Sequence, residues 1–204
     1  MHLHHHILFH LYFLSQRNDW YMKKRVLIDL LIIFIVGLLP LLWFQNGTVL
    51  LGHDAGLALD PLTHFLDRIY VWSQRFSIGT DQNGALLGAF FIHSFEALLT
   101  WIGLDLRTGQ LIQFIFWFTL PGLAMYFFAY RIFPDKKYLP LIASIIYMLN
   151  FYLLQGWFIA ERTKFSIYAA FPIVLYFLIG YLTGKIGFLK TIIVTGIVLG
   201  IFNG

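Results

Sequence analysis

Gly52-His53-Asp54 is followed within a few residues by Gly56, and a carboxylate in such a glycine-rich stretch can do two things. It can accept a proton from a hydroxyl as that oxygen attacks an electrophile. It can also shape a turn, because Asp bonds its own neighbouring backbone and the glycines relax the chain. Asp81 stands in a similar setting, Ser77-Ile-Gly-Thr-Asp-Gln-Asn-Gly84. Two carboxylates at a defined separation are the basis of glycosidic chemistry, but spacing in sequence leaves the Asp54–Asp81 distance open. His53 beside Asp54 is either a ligand for a divalent metal or an ordinary loop histidine. Glu161-Arg162-Thr163-Lys164 offers two cations to a phosphate or pyrophosphate. The same residues would equally anchor a helix end at a membrane surface, and Arg107 with Gln110 reads the same way. The chain has no cysteine, which excludes thiol nucleophiles, disulfides and cysteine-based metal sites.

The elements that must position these residues are membrane helices. Hydrophobic residues make up 59% of the 204 residues and charged ones 12%, about half the charge of a soluble domain. Mean hydropathy is +0.75. A helix needs about 20 mainly apolar residues to cross a bilayer core. Val26–Phe44, Leu111–Tyr130, Tyr138–Phe158, Phe165–Leu182 and Ile186–Phe202 meet that requirement, which predicts five spans. A sixth apolar stretch, Leu86–Leu104, carries His93, Ser94 and Glu96 at its middle, where charge in hydrocarbon is costly.

Lysine and arginine arbitrate, since cytoplasmic loops are enriched in them. If Leu86–Leu104 stays out of the core, nine basic residues lie on the side of the N-terminus and five on the other; if it crosses, the split is seven to seven. The sequence therefore predicts an all-α, polytopic protein of the cell membrane. Its N-terminus is cytoplasmic, and a helix over Leu86–Leu104 lies in the plane of the outer surface. His93 and Glu96, three residues apart, would turn one face of that helix to water. The net charge of +4 then reflects topology, not nucleic-acid binding. The outer loop, residues 45–110, is where function is expected, because a long connection that is not a linker is seldom idle. Met1–Tyr21 holds five histidines in its first ten residues. It reads as a doubtful N-terminal extension before Met22-Lys-Lys-Arg, though His-rich tracts also bind metals. The apolar run ending at Asn203-Gly204 suggests that 22–204 is the N-terminal fragment of a larger membrane domain.

The order of several short motifs adds to this. Gly52-His-Asp54 follows the first span; then come Asp60-Pro-Leu62, Tyr70-Val-Trp72 and Ile78-Gly-Thr-Asp81. Leu120-Pro-Gly-Leu-Ala-Met-Tyr126, Ser144-Ile-Ile-Tyr-Met-Leu-Asn-Phe-Tyr152 and Tyr168-Ala-Ala-Phe-Pro172 follow in later spans. The pattern over roughly Lys23 to Lys185 resembles the N-terminal part of bacterial GT-C-type membrane glycosyltransferases, of the arabinofuranosyltransferase and YfhO-like kinds. That resemblance implies a GT-C-like fold, a polyprenyl-phosphate sugar as donor and transfer at the outer face. It implies a catalytic Asp after the first span, which falls on Asp54, and a second acidic position, which falls on Asp81. His53 replaces the glycine expected before that Asp. Substrate binding is expected at His53, Arg107, Glu161, Arg162 and Lys164. The alternative reading is a non-catalytic polytopic protein, such as a transporter or flippase-like component. Transporters tend to place ionisable residues within their spans, and here the spans offer little beyond Asp29.

Overall fold

The computed structural model describes residues 24–44, 48–50, 58–70, 72, 73, 80, 81, 83–158 and 162–202; for residues 68, 73, 80, 81, 83–89, 157, 158 and 162–164 only the backbone is described. Among the described residues the regular elements are helices, apart from one ribbon of two two-residue strands. Helix α1 spans Lys24–Leu42 and closes in a 3-10 turn over Leu39–Leu42, begun by Pro40. Then come α2 (Pro61–Arg68), β1 (Trp72–Ser73), β2 (Thr80–Asp81), α3 (Asn83–Trp101), α4 (Leu106–Ile132), α5 (Leu139–Met148), α6 (Phe151–Phe158), α7 (Arg162–Leu182) and α8 (Phe188–Phe202).

Four helical stretches are long and apolar enough to cross a membrane: Lys24–Leu42, Leu106–Ile132, Leu139–Gly156 and Phe165–Leu182. They coincide with the first four spans expected from the sequence. The fifth differs. Its helix, α8, has 15 residues, or about 22 Å at 1.5 Å per residue, short of the roughly 30 Å of a hydrocarbon core.

Helices in lipid gain little from hydrophobic contact with each other, so close packing and interhelical hydrogen bonds must hold them. α1, α4 and α5 meet on small residues. A Cβ on Gly37 would come within 1.9 Å of Thr119 Oγ1, and one on Gly122 within 2.3 Å of Met148 Sδ. Ser144 Oγ donates to the Gly122 carbonyl at 2.6 Å, and Tyr126 Oη donates to Asp29 Oδ2 at 3.0 Å. Arg25, one turn before Asp29, completes the pair at 3.7 Å. The core behind these bonds is aromatic: Phe114, Trp117, Phe118, Tyr126 and Phe165 are buried around Ile33 and Met148.

The third expected span is broken. Asn150 separates α5 from α6, because its side chain competes for backbone groups a helix would use. Its Oδ1 accepts from Leu153 N–H at 3.1 Å, and its Nδ2 donates to the Tyr147 carbonyl at 2.7 Å and to the Tyr168 hydroxyl. Pro172 inside α7 deprives the Tyr168 carbonyl of its helical N–H donor. The Tyr147 hydroxyl supplies that carbonyl at 2.9 Å, with the two tyrosine rings stacked 4.0 Å apart.

Leu86–Leu104 is helical, as α3 over Asn83–Trp101, but its polar face is not the water-facing edge the sequence suggests. His93 and Glu96 are 8% and 4% exposed. They turn inward because α2 folds onto α3 and covers them. The other side of α3 packs along the first half of α4. Leu99 approaches Gly109, the Phe95 ring meets Phe116 at 5.2 Å, and Phe91 meets Trp117 at 6.0 Å. The turn between α3 and α4 needs Gly103, whose φ of +89° lies in the left-handed region.

Candidate functional site

Helix α2 starts where Asp60 caps it, accepting from Thr63 N–H at 3.1 Å, with Pro61 at the first helical position, where its missing N–H costs nothing. Its inner face meets α3 ring on ring: Phe65 on Phe90 at 5.5 Å and His64 on His93 at 4.8 Å. His93 Nδ1 lies 3.1 Å from Glu96 Oε2. An ionised carboxylate can only accept, so Nδ1 is the donor in this contact. This is the geometry in which a carboxylate orients an imidazole.

Beyond Glu96 lies a narrow cleft of about 10 Å³, room for about one water molecule, between the end of α3 and the start of α4, bordered by Pro61, Glu96, Thr100, Asp105, Gln110 and Gln113. Asp105 caps α4, accepting from Thr108 N–H at 3.2 Å. Its bonds to the Thr108 side chain and backbone hold its carboxyl below the usual range. Gln110 is committed to structure. It accepts from Leu50 N–H at 2.8 Å and donates to the Leu50 carbonyl at 2.6 Å, pinning the chain after α1 to the start of α4. The cleft therefore presents carboxylates, a carboxamide and a hydroxyl. The carboxylates there only accept when ionised, whereas the carboxamide and hydroxyl both donate and accept, so the cleft suits a water, a single hydroxyl or a small cation. Among the described residues, no group of three or more histidines or carboxylates is placed to hold a metal ion.

The residues singled out in the sequence are placed unevenly. His53, Asp54 and Glu161 lie outside the described residues. Asp81 pairs with Trp72 across the β1–β2 ribbon, two residues before α3, and its side chain is not described. Arg162 and Lys164 fall in the first turn of α7, again by backbone only. Arg107 is the second residue of α4 and half-buried. It stands one turn from Gln110, outside the residues that border the cleft.

Glu96 and Asp105 were not expected at a common cleft. The only sequence signal was a His and a Glu three apart within an apolar stretch, and it reads equally as a wet helix edge. His64, which meets that pair from α2, carries no signal of its own. No family model matches the chain, and neither a curated protein nor a solved structure matches it.

Proposed function

We propose that the chain is part of a membrane glycosyltransferase of GT-C-like architecture. It would move a sugar from a polyprenyl-phosphate donor to an acceptor at the extracytoplasmic face of the cell membrane, with its own N-terminus cytoplasmic. The observation that carries this reading is where the polar side chains gather. In the region between α1 and α4, Glu96, the partner of His93, and Asp105 border a cleft. In the spans, Tyr126, Ser144 and Tyr147 join helix to helix.

In this reading Asp54 is the base. It takes the proton of the acceptor hydroxyl as that oxygen bonds the anomeric carbon, while the bond to the lipid phosphate breaks and the phosphate leaves with the electron pair. Arg162 and Lys164 hold that phosphate, with Arg107 and Glu161 beside it. His53 and Asp81 line the approach of the acceptor. A divalent metal is compatible with His53 and Asp54 as oxygen and nitrogen donors, and would neutralise the leaving phosphate.

Asp54→Asn tests the assignment, with transfer of radiolabelled sugar from the lipid donor measured in membranes of the full-length protein. The expected loss is about 10²–10⁴-fold, the usual contribution of a positioned base. Transfer at the unsubstituted rate sinks the base assignment.

One observation favours the second reading, a non-catalytic transporter or flippase-like component. Asp29 is 6% exposed within a span and is held by Arg25 and Tyr126. Buried ionisable groups in spans mark substrate or proton paths in transporters. Substrate-dependent transport lost on Asp29→Asn, with transfer absent throughout, would decide for that reading.

A further inference from the structure

Cations gather at one end of the helix bundle, where α1 and α5 begin and α4 and α7 end. There the Arg25 guanidinium lies 5.6 Å over the Tyr138 ring, and that of Arg131 lies 4.6 Å over the Tyr176 ring. Arg25, Arg131, Lys136, Lys137, Lys185 and Lys190 belong to this end, against the carboxylates of Asp29 and Asp135. Asp29 is already held by Arg25 and Tyr126. The four lysines are exposed.

Arg131 is not. It is the last residue but one of α4, half-buried, and its side chain is drawn into the crevice between α4 and α7. Tyr176 and Gly180, one turn apart on α7, form the floor. A Cβ on Gly180 would stand 2.8 Å from Arg131 Nη2, so the glycine is what admits the guanidinium. Nη2 is buried, yet no acceptor bonds it among the described residues. The Gly180 carbonyl already accepts from the Lys185 and Ile186 N–H groups, both at 2.9 Å, which uses its two lone pairs. The Tyr176 ring attracts the cation but leaves most of the guanidinium N–H donors without an acceptor. A half-buried cation in that state is costly, and a phosphate supplies both the counter-charge and oxygens that match the guanidinium fork.

The depth of Arg131 says which phosphate. Helix α4 has 27 residues, about 40 Å, against a hydrocarbon core of roughly 30 Å. Its last residues therefore stand where the core meets the headgroups, and the exposed Lys136 and Lys137 follow. Lipid phosphates lie in that layer.

We propose that the crevice between the ends of α4 and α7 binds the phosphate of an anionic phospholipid, with Arg131 as its ligand and the surrounding lysines drawing acidic lipid to it. The guanidinium ends a flexible side chain, so a small turn about its torsions presents Nη2 at the crevice mouth. Basic pockets between spans hold anionic headgroups in this way. The inference rests on the chain crossing a membrane. It depends neither on transfer chemistry nor on which side of the membrane this end faces.

The full chain is purified in a neutral detergent, and thermal unfolding is followed by circular dichroism as phosphatidylglycerol, phosphatidylcholine or inorganic phosphate is added. Affinity is read from the rise of the midpoint with ligand concentration. Phosphatidylglycerol is expected to bind more tightly than phosphatidylcholine. Its affinity should fall about 10- to 100-fold in Arg131→Gln, the worth of a hydrogen bond between charged groups. Arg131→Lys keeps the charge and loses the fork. It should fall likewise, and it carries the test if the glutamine variant does not fold. Lys190→Gln removes an exposed charge of the same end, and in high salt, where such charges are screened, it should leave the affinity unchanged. Inorganic phosphate should not move the midpoint. Equal affinity for the two lipids, undiminished affinity in the Arg131 variants, or an equal loss in Lys190→Gln at high salt overturns the proposal. A like rise with inorganic phosphate overturns it too, since the ligand would then be a soluble anion.

Discussion

In the bundle, Tyr126 of α4 reaches Asp29 of α1, Ser144 of α5 reaches the Gly122 carbonyl of α4, and Tyr147 of α5 reaches the Tyr168 carbonyl of α7. Each bond joins two helices. In the α2–α3 region the polar contact of His93 with Glu96 lies within one helix, and α2 meets α3 ring on ring. The first arrangement uses polarity to fix helices where water cannot compete. The second buries a charge-capable pair beside a cleft without using it to hold the fold together. A polar pair held within one helix and covered by an apolar element suits a site more than a scaffold.

The bundle should fail first to a change of volume. Gly122→Leu places side-chain atoms where Met148 and Ile33 already stand, and neither α1 nor α5 can retreat without losing the Ser144 and Asp29 bonds. Overpacking of this kind costs about 1–3 kcal/mol in a soluble core. Here two interfaces are forced apart at once, so the upper end of that range or worse is expected. Thermal unfolding in detergent micelles, followed by circular dichroism, measures it. A variant with an unchanged midpoint would show that the close approach of α1, α4 and α5 does not contribute to stability.

The α2–α3 region should respond to charge, not volume. Glu96→Leu leaves His93 Nδ1 facing an apolar side chain, and a buried donor that loses its partner costs roughly 1–3 kcal/mol. The double change His93→Leu with Glu96→Leu should recover much of that, because a buried pair replaced by apolar residues is often neutral. A double-mutant cycle on the unfolding midpoint reads the coupling. Strictly additive effects would mean that the two side chains act independently, and the contrast with the bundle would lose its basis.

How much of this was legible in the sequence follows the same division. The first four spans are read correctly because twenty apolar residues in a row have few other uses in a chain. Of the motifs that suggest a family, the three in the spans turn out to be joints. Gly122 and Tyr126 sit in one, Ser144, Tyr147 and Asn150 in the second, and Tyr168 and Pro172 in the third, and they bond to one another across helices. Such a resemblance speaks to how helices pack more than to chemistry. The break at Asn150 was hidden because a single Asn in an apolar run carries no weight in a hydropathy average. The burial of His93 and Glu96 was hidden because helical periodicity gives a face but not what covers it. α2 decides that, where His64 meets His93 from 29 residues away, and pairing of this kind leaves no mark in local sequence.

The smallest effect expected is also the one that separates a joint from a working group inside the membrane. Tyr126→Phe removes the hydroxyl that meets Asp29 and leaves Arg25 in place. Interhelical hydrogen bonds in a bilayer average about 0.6 kcal/mol, so the unfolding midpoint should fall only slightly. The reason is that Asp29 keeps its pairing with Arg25 one turn away, and the Tyr126 ring stays wedged against Tyr130, stacked at 6.2 Å. A joint loses a little stability and nothing else. If the midpoint barely moves while a transport or transfer activity of the full-length protein falls sharply, Asp29 is not merely a joint. The division between a structural bundle and a functional α2–α3 region would then have to be redrawn through α1.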